Sequence, residues 1–241
     1  MAKIHLILQG KGGVGKSMIA ATIAQYKIFK GQTPLCIDTD PVNCTFEGYK
    51  ALGVTHLDIM EANEINPRNF DKLIELVASS KNDVIIDNGA SSFVQLTHYL
   101  ITNRVTELLS EMGHETVIHT VITGGQAFLD TVNGFAHLVS QFPTKVLFVV
   151  WLNPYWGPVE YEGKTFEQIK VYTTHKARIS AIVHIPDLKE ETFGYDLNAM
   201  LQKRLTFDEA IGMESLTIMT RQRLKIIKNQ LFEQLDIAKV L

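Results

Sequence analysis

Apolar residues gather in short β-branched runs at positions 4–8, 35–38, 84–87, 116–122, 146–152 and 179–185. Pro34 stands just before the second run, where its missing N–H harms a strand least. Between the runs, apolar positions recur at helical spacing. Phe70, Leu73, Ile74 and Val77 form one stripe, and Phe128, Val132, Phe135, Ala136 and Val139 another. Both predict helices that bury one face against a sheet. A last, longer helix is predicted over about 215–238, with Leu224, Ile227, Leu231 and Leu235 on one face. Strand and helix alternate, so the expected fold is α/β: a mostly parallel twisted sheet flanked by helices.

Length and composition add bounds. The 241 residues are 46% hydrophobic and 20% charged, which suits one α/β domain over 1–241 that includes the terminal helix. A net charge of −3 excludes a molecule that binds nucleic acid or membrane by its overall field. The two cysteines, Cys36 and Cys44, form no C-x-x-C pair and no partner pair completes a zinc or iron–sulfur site. Cys36 reads as a small core residue in a reducing cytoplasm. The stretch 4–8 is too short for a signal peptide, and the longest apolar run, 146–152, falls far short of a membrane span. The expected location is cytoplasmic, with peripheral association at membrane or nucleoid as the alternative.

The first run leads into Gly10-Lys11-Gly12-Gly13-Val14-Gly15-Lys16-Ser17, which fits G-x-x-x-x-G-K-[ST] between a strand and a helix predicted from Ser17 to about residue 29. Such glycines let backbone N–H groups turn inward around phosphates, and the helix adds its positive end. The nucleotide-binding set is Gly12, Gly13, Val14, Gly15, Lys16, Ser17 and Met18. Lys16 is expected on the β- and γ-phosphates, and the Ser17 hydroxyl on Mg²⁺. The run Val84-Ile85-Ile86-Asp87 ends in an acid and reads as a Walker B strand, with Asp87 holding Mg²⁺ through water. The fold class narrows to a P-loop NTPase.

The second lysine in Lys11-Gly12-Gly13-Val14-Gly15-Lys16-Ser17 resembles the deviant Walker A ATPases, the family of ParA, MinD and the nitrogenase iron protein. That resemblance implies ATP and Mg²⁺ as cofactors, slow partner-stimulated hydrolysis and an ATP-dependent homodimer in which Lys11 reaches the partner's nucleotide. Asp38-Thr39-Asp40-Pro41 matches the family's D-x-D-P, which implies water positioning by Asp40 and support of the Mg²⁺ shell by Asp38. Catalytic roles therefore fall to Lys11, Lys16 and Asp40, and metal roles to Ser17, Asp38 and Asp87. By the same resemblance Asn153 contacts adenine, and the Ile185-Pro186-Asp187 loop, through Pro186 and Asp187, covers the base. The family's diproline after Walker B is absent; Asp87-Asn88-Gly89-Ala90-Ser91 stands there, and Gly89 can still bring a backbone N–H to a γ-phosphate. Trp151, Tyr155 and Trp156 read as buried packing.

The wording D-N-G-A-S-S-F, W-L-N-P-Y-W-G and F-E-Q-I-K-V-Y is similar to the TraL and StbB proteins of conjugative plasmids. It implies work in DNA transfer or plasmid maintenance beside other transfer or partition proteins. Two alternatives stand beside it. One is a DNA-binding partition ATPase, which DNA-stimulated turnover would reveal. The other is an ATP-using metabolic enzyme of the same fold, which would require a small-molecule acceptor. Absence of cluster-ligand cysteines argues against the iron-protein branch. Arg221, Arg223, Lys225 and Lys228 lie on the terminal helix without an intervening acid. Solvated basic residues on a docked helix are the favoured reading, and contact with DNA phosphates or an anionic membrane is the alternative.

Overall fold

The computed structural model describes residues 2–239. Its centre is a seven-stranded sheet in which every neighbouring pair is parallel. The strands are β1 (Lys3–Ile7), β2 (Leu35–Asp38), β3 (Thr55–His56), β4 (Val84–Asp87), β5 (Glu115–Thr123), β6 (Leu147–Asn153) and β7 (Ile179–His184). Their spatial order is β7-β6-β5-β1-β4-β2-β3. Central strands such as β4, Val-Ile-Ile-Asp, are buried at every position, which is why they read as unbroken apolar runs. Six runs in the sequence correspond to six of these strands. The two-residue edge strand β3, Thr55-His56, is exposed and carries no hydrophobic run, so periodicity does not announce it. Two short antiparallel ribbons, at 60–65 and 160–165, lie outside the main sheet.

Helices cover both faces. On one side lie α2 (Asn69–Ser79), α3 (Phe93–Thr102), α4 (Val105–Glu111) and α5 (Phe128–Gln141), with Phe70, Leu73, Leu96, Phe135 and Leu138 packed on Ile4, Leu6, Ile86 and Ile118. A short helix, α6 (Lys170–His175), adds Val171 and Tyr172 at the margin of that layer. On the other side α1 (Lys16–Phe29), α7 (Tyr195–Gln202), α8 (Phe207–Gly212) and α9 (Ile218–Ala238) bury Ile19, Ile23, Leu197, Phe207, Leu224 and Leu231 against Ile7, Ile85, Val117 and Val149. The stripes on α2 and α5 face the core as their spacing implies, although Ile74 and Ala136 stay only half-buried. The terminal helix begins at Ile218, later than the expected 215, because Thr217 caps it by accepting the Thr220 N–H at 3.1 Å. Among the described residues no helix is long and apolar enough to cross a membrane. Because the sheet is parallel, the loops that follow β1, β2, β4, β5, β6 and β7 all open at one edge, the usual ligand edge of such a sheet.

Candidate functional site

The loop after β1 is the best-defined structure on that edge. Gly13 and Gly15 take φ of +72° and +102°, conformations that residues with a Cβ rarely adopt. Gly15 caps α1 without a side-chain bond, leaving the first amides of the helix directed into the loop. Lys16 is buried and its ammonium donates to the Lys11 carbonyl at 3.1 Å. Burial lowers its pKa, opposed by the nearby carboxylates of Asp87 and Asp40. Gln9, unremarked in the sequence reading, anchors the start of the loop: its buried amide donates to the carbonyls of Val121 and Thr131 at 2.9 and 3.1 Å. Asn153, at the end of β6, donates to the Val14 carbonyl at 2.9 Å and accepts the Tyr155 N–H.

Two acidic loops stand beside it. Asp38 accepts the Asp40 N–H through one oxygen and the Glu47 N–H through the other, both at 2.9 Å. Burial nevertheless raises its pKa. Asp40 accepts the Val42 and Asn43 N–H groups at 2.9 and 3.3 Å. Thr39, between them, donates its hydroxyl to the Asp87 carbonyl at 2.9 Å and so ties the loop after β2 to the loop after β4. Asp87 is buried and its carboxyl rises to about 7, chiefly from desolvation; the Ser17 hydrogen bond and the Lys16 charge oppose that rise. Its Oδ1 has no hydrogen-bond partner. A buried, unpartnered carboxylate oxygen beside a serine hydroxyl is an oxygen donor set that fits Mg²⁺.

Where the diproline would stand, the segment is fixed in another way. Asn88 donates to the Gly89 carbonyl at 2.9 Å and accepts the Ser92 hydroxyl at 2.9 Å. Gly89 presses on Asp40 so closely that a Cβ there would meet Oδ1 at 2.6 Å. The requirement for glycine at this position is one of space.

The structure thus brings Gly12, Gly13, Val14, Gly15, Lys16, Ser17, Asp38, Asp40 and Asp87 to one corner of the sheet. Met18 lies on the first turn of α1. Pro186 and Asp187 lie on the loop after β7, whose Ile185 N–H bonds the Leu152 carbonyl next to Asn153. Lys11 turns away from this corner and pairs with Asp130 of α5 at 2.8 Å, both side chains exposed. The two flank a cleft that also includes Gln9, Gly10, Phe93 and Gly134.

Two aromatic expectations need correction. Trp151 is fully buried, but Tyr155 and Trp156 are exposed, because the chain turns outward at Asn153-Pro154 once β6 has ended. On α9, Arg223 bonds Asp196 of α7 at 2.5 Å and Lys228 bonds Asp208 of α8 at 2.5 Å. Two of the four basic residues thus dock the helix on its own neighbours. Lys225 lines a groove shared with Asp208, Glu233 and Asp236, a mixed surface rather than a basic one.

Comparison with known proteins agrees with this geometry. Residues 5–150 match the model of the CobQ/CobB/MinD/ParA nucleotide binding domain. Two Escherichia coli relatives, both named Protein TraL, are 73% and 70% identical over the full length of both chains. In fold the chain is similar to MinD in the MinC:MinD cell division protein complex of Aquifex aeolicus, with a TM-score of 0.55, 17% identity and coverage of 93% of this chain and 96% of that one. Free Aquifex aeolicus MinD gives a TM-score of 0.50 at 16% identity, with coverage of 96% and 98%.

Proposed function

The chain belongs to the CobQ/CobB/MinD/ParA nucleotide binding domain family, and from that premise we propose that it is an Mg²⁺-dependent ATPase that acts as a nucleotide-switched dimer in conjugative DNA transfer or plasmid maintenance. The observation that carries the chemistry is the buried Asp87 Oδ1, without a partner, beside Ser17 and Lys16 at the mouth of the glycine loop. An uncompensated carboxylate there costs stability unless a cation meets it in use. Asp87 and Ser17 would hold Mg²⁺, with Asp38 supporting the shell. Once bound, the ion would neutralise the phosphate oxygens. The loop amides and Lys16 bind and orient the triphosphate. Asp40, held against Gly89, orients the attacking water. Lys11, a cation in an exposed pair, is the group that would enter a second subunit.

The dimer is supported by the same edge. Val42, Val94, Leu129, Tyr155 and Trp156 are exposed, and each follows the carboxyl end of β2, β4, β5 or β6. Large apolar side chains gathered on one edge are what an interface buries. The role in plasmid biology rests on the resemblance to TraL. Calorimetry with Mg²⁺–ATP tests the core of the reading. Lys16→Ala should lose about 1.5–3 kcal/mol of binding, the value of a hydrogen bond to a charged group. Unchanged affinity would overturn it.

A further inference from the structure

Outside the nucleotide site, one cluster of side chains has the chemistry of a metal centre. Cys44 and Glu47 lie on the loop that follows Asp40, and His56 lies on the edge strand β3. The Cys44 sulfur, a Glu47 oxygen and an imidazole nitrogen of His56 all lie within 4.8 Å of one another. His56 Nδ1 is 3.9 Å from Glu47 Oε2. The sheet register explains the approach: His56 pairs with Asp38 across β2 and β3, so its ring stands beside the loop that Asp38 organises.

Three further features belong to this cluster. Cys44 has a φ of +41°, an uncommon conformation for a residue with a Cβ that it shares with six other described residues. Its thiol donates to the Asp40 carbonyl at 3.3 Å, which ties it to the loop carrying the D-x-D-P motif. Burial, then the carboxylates of Asp38, Glu47, Asp40 and Asp58, push this thiol up. That gathering of negative charge favours a divalent cation. In the sequence, Cys44 had no partner cysteine and no evident use. The partners it meets are an acid and a histidine, supplied by the fold.

We propose that Cys44, Glu47 and His56 form a site for a thiophilic divalent ion of the zinc type, with three protein ligands and an open fourth position. A thiolate, an imidazole and a carboxylate are a borderline-soft set, suited to zinc or cobalt(II) and unsuited to Mg²⁺, which demands oxygen. Metal–ligand bonds of about 2.0–2.3 Å place tetrahedral donors roughly 3.5 Å apart. Rotation of the part-exposed Glu47 and His56 side chains closes the remaining gap. On binding, the Cys44 thiol releases its proton to solvent and its sulfur bonds the ion. The ion would join β3 to the loop that carries Asp38 and Asp40. This site is separate from the phosphate loop and does not rest on the reading of that loop.

Cobalt(II) is the probe, added without nucleotide to the full chain after treatment with a chelator. One equivalent should produce thiolate-to-cobalt charge-transfer absorption together with the visible bands of a tetrahedral ion, and zinc should remove both. Cys44→Ser should abolish the charge-transfer band while its circular dichroism stays that of the wild type. His56→Asn should weaken cobalt binding by roughly tenfold or more. Cys36→Ala and Lys16→Ala should keep the band, which separates this centre from the other cysteine and from the phosphate loop. No band in the wild type at saturating cobalt, or a band that survives in Cys44→Ser, overturns the proposal.

Discussion

At the scale of single residues, the candidate site depends on close approaches as much as on charged groups. Gly89→Ala tests this directly, since the new Cβ would lie 2.6 Å from Asp40 Oδ1 and must displace that carboxylate. If Asp40 orients water, turnover should fall by about 10²-fold, a cost associated with a misplacement of about 1 Å, while nucleotide affinity changes little. Wild-type turnover in steady-state assays would separate Gly89 from catalysis. Asp87 makes a second test. Its folded pKa of about 7 lies above the ordinary 3.8 of the unfolded chain, so between those values the folded chain holds a proton that the unfolded chain has lost. Stability therefore falls as pH rises through that window, and the full penalty applies above it. In chelator and without nucleotide, Asp87→Asn should raise the unfolding free energy at neutral pH, by on the order of a few kcal/mol at most. The same variant should weaken Mg²⁺-dependent nucleotide binding. That Lys16, Ser17 and Asp87 would stand together was legible from the spacing of the glycine loop and the acid that ends an apolar run, and Asp40 joined them through the resemblance to D-x-D-P. Gln9, Thr39 and the grip of Asn153 on Val14 were not legible. Their bonds span 112, 48 and 139 residues, and nothing local marks a residue that acts across the sheet.

At the scale of elements, the inner strands were legible because burial on both faces forces apolar runs, whereas the edge strand β7, only partly buried, still showed a β-branched run. The exposed strand β3 and the two small ribbons left no such trace. One feature of the buried strands escapes pattern reading altogether. His5 of β1 and His119 of β5 lie within apolar runs, yet they form a polar ladder with Trp151 of β6. The indole N–H donates to His119 Nδ1 at 3.0 Å, and His119 Nε2 lies 2.9 Å from His5 Nδ1. Because the indole can only donate, His119 carries its proton on Nε2 and gives it to His5. Both imidazoles must be neutral for this chain to hold. Desolvation lowers His119 to about 3, and His5 falls well below its ordinary value for the same reason, with the His119 charge next. A folded pKa below the unfolded 6.5 means that the unfolded chain binds the extra protons as pH falls. The histidine pair by itself therefore lowers stability as pH falls below about 6.5, opposing the contribution of Asp87 in the same window. The measurement is the slope of unfolding free energy against pH in that window. His119→Gln should show a less positive slope than the wild type, whatever its absolute stability, and an equal slope would remove His119 from the acid response.

At the scale of the whole molecule, the parallel sheet puts the phosphate loop, both acidic loops and a rim of exposed apolar side chains on one edge, so nucleotide and partner would meet the same surface. Within one chain Lys11 is held by Asp130, an exposed ion pair of the kind worth at most about 1 kcal/mol, so redirecting Lys11 costs little. On the proposed reading, assembly is then the step that would decide activity. If Lys11 serves the opposite subunit, ATP should convert the chain to a two-fold dimer in sedimentation experiments. Lys11→Ala should keep much of its nucleotide affinity, because Lys16 and the loop amides remain, yet lose ATP-dependent dimerisation and most hydrolysis. Asp40→Ala should bind and dimerise but turn over poorly. Neither variant alone has a complete site. A mixed dimer has one: the Lys11→Ala subunit supplies Asp40 and its own phosphate loop, and the Asp40→Ala subunit supplies Lys11 across the interface. Mixing the two inactive variants should therefore restore part of the wild-type activity, since each mixed dimer holds one good site of two. Activity that stays at the level of the separate variants, with no ATP-dependent dimer in the wild type, would confine Lys11 to its pair with Asp130.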